Sequence, residues 1–161
     1  MSDHKTADDI WDVLEKERVA LLTTVHGGDL ETRPMAPYVD REAGVIRFIT
    51  RLDTSKTGDI GSSGPVNIGY ANPDRNTYLS ISGTGTVGQD RAKLKELWNA
   101  WAEAWMPQGP DGADVALITV EPDTAVIWDS TSSKIVSAFE HLRAAVTGGR
   151  PNVGTMDKVA L

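Results

Sequence analysis

The sequence predicts a mainly β protein with flanking helices (α+β), built on a six-stranded antiparallel sheet that closes on itself. Three observations carry this expectation. The apolar, β-branched runs are short and bounded by Gly, Pro, Asn or Asp, and successive runs are joined by turns rather than crossover helices. Thr77 to Val87 also alternates, with Tyr78, Ser80 and Ser82 on one face and Leu79 and Ile81 on the other. Closing such a sheet removes its exposed edges.

The elements follow in order. Thr6 can cap a short amphipathic helix over Asp8 to Lys16 that carries Ile10, Val13 and Leu14 on one face. Val19 to Val25 is the first strand, and His26-Gly27-Gly28-Asp29 turns it into the second, Leu30 to Arg33. That strand is expected to end at Arg33, because Pro34 and Pro37 cannot donate to a ladder and mark an exit, bulge or edge. Val45 to Thr50 is the third strand, and Thr54 to Ser62 a short helix weakened by glycines. Val66 to Ala71 is the fourth strand, and Asn72 to Asn76 is a turn by composition. Thr77 to Val87 is the fifth. Val115 to Val120 and Thr124 to Trp128, hinged at Glu121-Pro122-Asp123, complete the six.

Two helices interrupt or follow the strands. From Asp90 to Trp105, the residues Leu94, Trp98, Trp101 and Trp105 form a single aromatic seam on one helix that Pro107 prevents from continuing. Core packing is the expectation for Trp98 and Trp101. A last helix starts near Ser132-Ser133, carries Ile135, Phe139, Leu142 and Val146, and ends at Gly148-Gly149. The tail from Arg150 onward is expected to be extended or loosely held. With no internal repeat or low-complexity linker, residues 1–161 read as one domain, the sheet over about 19–130 and the final helix and tail over 131–161.

Composition excludes several function classes. A formal charge of −7 argues against nucleic-acid binding, which needs basic surface to displace counterions. No apolar run approaches the ~20 residues of a membrane span. Met1-Ser2-Asp3-His4-Lys5 lacks the apolar stretch of a signal peptide, so a cytoplasmic location is expected. The absence of cysteine excludes disulfides, thiolate nucleophiles and Cys-ligated metals. His4, His26 and His141 show no metal-ligand spacing, so no metal is expected. Gly61-Ser62-Ser63-Gly64 lacks the spacing of a nucleophile elbow.

One motif invites a different reading. Gly83-Thr84-Gly85-Thr86-Val87-Gly88 fits G-x-G-x-x-G, follows a strand and precedes a helix. The next strand's acidic candidate, Glu121, nevertheless lies well beyond the ~20 residues expected for a ribose-binding carboxylate. No crossover helices supply a doubly wound sheet either. The glycines therefore read as a bent strand that another group approaches closely.

The chemistry concentrates on two cations. Arg33 stands near a sheet rim, and Asp53-Thr54-Ser55 supplies residue types that cap a helix and leave backbone N–H groups facing an anion, with Lys56 in the first turn. A cation in that turn opposes the helix dipole unless something negative lies nearby. Surface charge is screened beyond about 8 Å, whereas one cation about 4 Å from a phosphate contributes on the order of 4 kcal/mol before desolvation. Arg33 and Lys56 can thus hold a phosphate in an acidic chain if the fold brings them together.

Arg33-Pro34-Met35, then Phe48-Ile49-Thr50 with Asp53-Thr54-Ser55-Lys56, then Tyr78-Leu79-Ser80-Ile81-Ser82-Gly83, Trp105-Met106-Pro107 and Ile127-Trp128-Asp129 occur in that order. Together they resemble the general stress protein 26 branch of the pyridoxamine 5'-phosphate oxidase-like flavoproteins, over roughly residues 8 to 130. The resemblance implies a split β-barrel that binds FMN at a homodimer interface, with a small-molecule electron donor or acceptor. It implies a phosphate held by Lys56, Ser55 and Thr54, with Arg33 joining them or reaching the pyrimidine edge. Met35, Ile49 and Thr50 would lie along the isoalloxazine or ribityl chain, with Pro34 stiffening that wall. Tyr78 and Trp128 correspond to cofactor-adjacent positions, and Trp105 borders the flavin from the neighbouring subunit. The implied function is an FMN-dependent oxidoreductase of unidentified substrate. The alternatives are a flavin carrier or sensor without turnover, or a binder of FAD, deazaflavin (F420) or haem on the same barrel. Pyridoxamine phosphate oxidase activity itself is not expected, because that enzyme's basic C-terminal segment is missing. No side chain stands out as a catalytic acid or base.

Overall fold

The structure is a computed structural model that describes residues 5–129 and 155–161. Its elements are α1 (Ala7–Leu14), β1 (Ala20–His26), β2 (Asp29–Met35), β3 (Tyr38–Asp40), β4 (Val45–Arg51), α2 (Ser55–Ile60), β5 (Gly64–Asn72), β6 (Thr77–Gly88), α3 (Arg91–Leu97), α4 (Ala100–Trp105), β7 (Val115–Asp129) and β8 (Thr155–Ala160).

Every strand pairing is antiparallel, in the order β2-β1-β5-β6-β7-β4-β3 with β8 on β7. The two ends of this path are β2 and β3, yet only Ala36 and Pro37 separate them in the chain. The sheet must therefore curl until its edges meet, and they meet without a ladder between them. That is a split barrel. It matches the expectation, and the reason lies partly in Pro34 and Pro37, which have no N–H to offer a partner strand.

Inside the curl, Leu22, Phe48, Ile68, Ile81, Ile118 and Ile127 are fully or almost fully buried, and Ile10 and Leu14 of α1 close one end. Thr6 caps α1 through a capping box with Asp9. The β1–β2 hairpin turns on Gly27 and Gly28, both at positive φ (57° and 94°), a backbone that matches the twist of the flanking strands. A second, smaller core lies on the other face of β4 and β7. There Leu94, Ala102, Met106, Val115 and Leu117 pack together with Ile49, Leu97 and Trp98 beside them.

Four details differ from the sequence expectation. First, β2 continues through Pro34 to Met35, which is possible because it is an edge strand and Pro34 forfeits no ladder bond to an outer neighbour. Second, the six expected strands are joined by β3 and β8. The C-terminal tail is thus tied down from Thr155 to Ala160 along Thr124–Asp129 of β7. Third, Val115–Asp129 is one continuous strand whose hinge is a bulge. Ser82 faces Thr124 and Gly83 faces Pro122, so Asp123 is the extra residue, and its carbonyl accepts the Leu161 amide at 3.0 Å.

The fourth difference is the aromatic helix, which breaks in two. Trp98 is extended (φ −63°, ψ 134°) and Asn99 caps α4 by accepting from the Ala102 amide. The seam breaks with it: Leu94 is buried and Trp98 is packed on the small core, but Trp101 is exposed. The expected helix beginning near Ser132 lies outside the described residues. Among the described residues no helix is long and apolar enough to cross a membrane.

The G-x-G-x-x-G segment is the bent strand. A side chain at Gly83 would collide with the carbonyl of Glu121 and come within 3.0 Å of the Pro122 Cα, and one at Gly85 would meet Val66 Cγ1 at 3.0 Å. These two glycines serve strand packing.

Candidate functional site

The site is best built from the β1–β2 hairpin. Because Leu22 pairs with Arg33 and Thr24 with Glu31, Arg33 and Glu31 lie on the same face as Leu22, which points into the barrel. β2 is an edge, so these polar side chains reach the rim and not the core. α2 lies across that rim: Ile60 enters the barrel core beside Gly64 and Gly85, and Asp59 reaches Thr24 and His26 of β1.

The helix begins at Thr54, whose hydroxyl makes no cap bond and donates instead to the Arg51 carbonyl at 2.9 Å. Buried Thr57 ties the turn down through bonds to the carbonyls of Leu52 (2.7 Å) and Thr54 (2.8 Å). Lys56 is half-buried. Burial first, and then the neighbouring Arg33, hold its ammonium below the usual lysine range, with Asp53 pulling the other way. Among the described residues it forms no ion pair. Arg33 is near enough for its charge to act on Lys56.

Arg33 is held by several partners. Its guanidinium donates to Thr24 Oγ1 at 2.6 Å and to Glu31 Oε2 at 2.7 Å, and lies 3.9 Å from Asp59 Oδ2. Thr24 in turn donates to Asp59 Oδ2 at 2.8 Å, and His26 Nδ1 is 2.6 Å from Asp59 Oδ1. Burial raises the Asp59 carboxyl, but the bonds from His26 and Thr24 and the charges of His26 and Arg33 outweigh it and leave the group below its ordinary value. His26 moves up, chiefly through its hydrogen bond to Asp59 and then through the charges of Asp59 and Glu31. Sequence reasoning missed Thr24, His26, Glu31 and Asp59 as site neighbours. The available signal was Asp59, one helical turn after Lys56 and hence on the same side of α2.

The remaining expected site residues fall elsewhere. Met35 shares the face of Arg33 and packs on the barrel core, whereas Pro34 points to the opposite face beside Leu21. Thr50 is buried inside the barrel, and Ile49 faces the small core under α3 and α4. Ser55 is the first residue of α2. Tyr78 and Trp128 are direct cross-strand partners, 39% and 41% exposed, on the outward face of β6 and β7. Trp105 is 69% exposed at the end of α4, its ring 6.2 Å from that of Trp101.

Within one chain the Tyr78–Trp128 row and the Arg33–Lys56 rim lie on opposite faces of the sheet. Gly85, against which α2 packs, is seven residues along β6 from Tyr78 (85 − 78), roughly 20 Å at the rise of a strand.

Residues 5–152 match the family described as Pyridoxamine 5'-phosphate oxidase like. Among solved structures, a candidate general stress protein 26 from Jannaschia sp. CCS1 is similar with a TM-score of 0.73 and 27% identity, over 94% of this chain and 95% of that one. The general stress FMN/FAD binding protein from Xanthomonas citri is similar with a TM-score of 0.70 and 28% identity, over 78% of this chain and 89% of that one. Protein bli-3 of Neurospora crassa is 24% identical over 95% of this chain and 78% of that protein. From the extent of the family match and the shared split barrel, the chain belongs to the pyridoxamine 5'-phosphate oxidase-like family.

Proposed function

We propose that this protein is an FMN-binding oxidoreductase whose flavin phosphate is held by Arg33 and Lys56. The observation that carries the reading is Lys56 itself: a half-buried ammonium placed beside a second cation, a position that both desolvation and repulsion disfavour unless an anion completes it. The donor set fits a phosphate, since a guanidinium and an ammonium are both hydrogen-bond donors of positive charge. A similar protein described as FMN/FAD binding supports the same choice.

When bound, the flavin supplies the hydride chemistry; the chain's residues bind, orient and shield it. Arg33, fixed by Thr24 and Glu31, orients one end of the anion, and Lys56 supplies the second charge. Met35 gives the rim an apolar wall.

Tyr78 and Trp128 stand on the face of the sheet opposite the cations. That separation supports a site shared between two copies, each contributing cations to one flavin and aromatic surface to the other. Exposed Val19, Leu21, Val25 and Leu30 on the β1–β2 hairpin add apolar area suited to such an interface.

The visible spectrum of the purified protein tests the cofactor. Peaks near 370 and 450 nm are expected; a band at about 420 nm alone would indicate a deazaflavin such as F420, and a Soret band would indicate haem. FAD would share the FMN spectrum and is separated from it by the mass of the released cofactor. Anaerobic stopped-flow absorbance then tests turnover: NADH or NADPH is expected to bleach the 450 nm band slowly, and a quinone or oxygen to restore it. A flavin reduced by dithionite but by neither nicotinamide would assign the protein to the flavin carriers.

A further inference from the structure

The rim contains a buried carboxylate to which phosphate binding assigns no role. The Asp59 side chain is only 5% exposed and lies one turn after Lys56 on α2, bonded to His26 on one oxygen and to Thr24 on the other. Thr24 is a relay, because the hydroxyl that donates to Asp59 also accepts from Arg33. Asp59 therefore opposes the Arg33 charge both directly, at 3.9 Å, and through that hydroxyl, and its own charge is opposed by an imidazole whose ring is open to solvent.

We propose that His26 and Asp59 form a counter-charge pair that sets how strongly the Arg33–Lys56 rim takes a phosphate. With His26 neutral, Asp59 offsets part of the Arg33 charge and competes with the incoming anion. With His26 protonated, the imidazolium matches Asp59, and the guanidinium is left for the phosphate. The inference rests on the reading that these cations hold a flavin phosphate.

The charged groups around His26 set the sign. Asp59 faces it from α2 and Glu31 and Arg33 from β2, while Asp29 is its ladder partner across the hairpin. The carboxylates outweigh Arg33, so His26 titrates above the ordinary histidine value of 6.5. Anion affinity is then highest on the acid side of that titration and falls as pH rises through it.

His26→Gln tests this, because glutamine can still donate to Asp59 and cannot acquire a charge. The flavin-free full-length protein is titrated with FMN from about pH 5.5 to about pH 8.5, and wild type is compared with the variant at each pH. The phosphate's own titration cancels in that ratio. Equal affinities are expected at the alkaline end, and about threefold tighter binding by wild type at the acid end. By linkage, saturating FMN is expected to raise the His26 titration midpoint, read from its imidazole proton resonance, by about half a pH unit.

Asp59→Asn, which can still accept from Thr24, is expected to bind FMN about threefold tighter than wild type at alkaline pH. A ratio that stays constant with pH, a His26 midpoint that ignores FMN, or weaker binding by Asp59→Asn would overturn the counter-charge role and leave the flavin reading intact. Absence of FMN binding at every pH, in wild type and variants alike, would overturn both.

Discussion

Lys56 occupies a position that costs the free protein stability. Its folded pKa lies below its unfolded value, so its charge destabilises the fold at neutral pH, and the penalty fades as pH rises through the folded value. Lys56→Ala is therefore expected to leave stability unchanged or slightly raised while weakening FMN binding at least tenfold, about 1.4 kcal/mol. Fluorescence titration and thermal melting of the same preparations measure the two effects, and equal affinities would place Lys56 on the solvated surface. Tyr70 poses the converse case. It is 5% exposed, and its hydroxyl has no hydrogen-bond partner among the described residues, while burial and then Glu17 push its pKa upward. Tyr70→Phe removes the orphaned hydroxyl and keeps the ring, so a gain of up to about 1 kcal/mol is expected in urea unfolding. A loss of that size would mean that the hydroxyl is satisfied in solution. Both cations were legible in the sequence as residue types beside Thr and Ser. Their convergence was not, because it depends on the hairpin register that turns Arg33 inward and on Ile60 anchoring α2 across the rim.

At the scale of elements, legibility followed the strength of local signals. The Thr6 N-cap of α1 and the double glycine of the first hairpin are encoded within a few residues, and both formed as read; the reciprocal bond to Asp9 that completes the capping box was not read. The break between α3 and α4 carried a signal that periodicity obscured: Asn99 is a strong N-cap residue, yet it stood within an aromatic repeat that reads as one helix. β8 had almost none, since its pairing with β7 is made by backbone groups and no side-chain pattern announces it. Gly83 shows how a motif's meaning depends on its element. As part of a bulged strand pressed against Glu121 and Pro122 it has no room for a methyl group, so Gly83→Ala is expected to destabilise by about 2–3 kcal/mol. Gly88 has nothing within 4 Å of its missing side chain, and Gly88→Ala serves as the control. Urea midpoints of the two variants should separate clearly; equal midpoints would mean that the strands relax apart at the bulge.

For the whole molecule, the proposed shared site requires two chains. Sedimentation equilibrium at micromolar concentration is expected to give twice the 17.4 kDa chain mass, and Leu21→Lys on the exposed hairpin face is expected to shift that equilibrium toward monomer and release flavin with it. A monomer that still holds FMN would refute the shared site. The acidic surface is compatible with assembly, because the exposed apolar side chains of Val19, Leu21 and Leu30 are concentrated on one hairpin. Strand β7 has a further consequence, for how the chain acquires its shape. It pairs with β6 along nearly its whole length, with β4 along its first half and with β8 along its second. As the polypeptide leaves the ribosome, β4 emerges with Ile46 and Phe48 and only the three-residue β3 to pair with, and its long partner is synthesised much later. The nascent chain must therefore keep an apolar strand edge out of wrong pairings until Val115–Asp129 emerges.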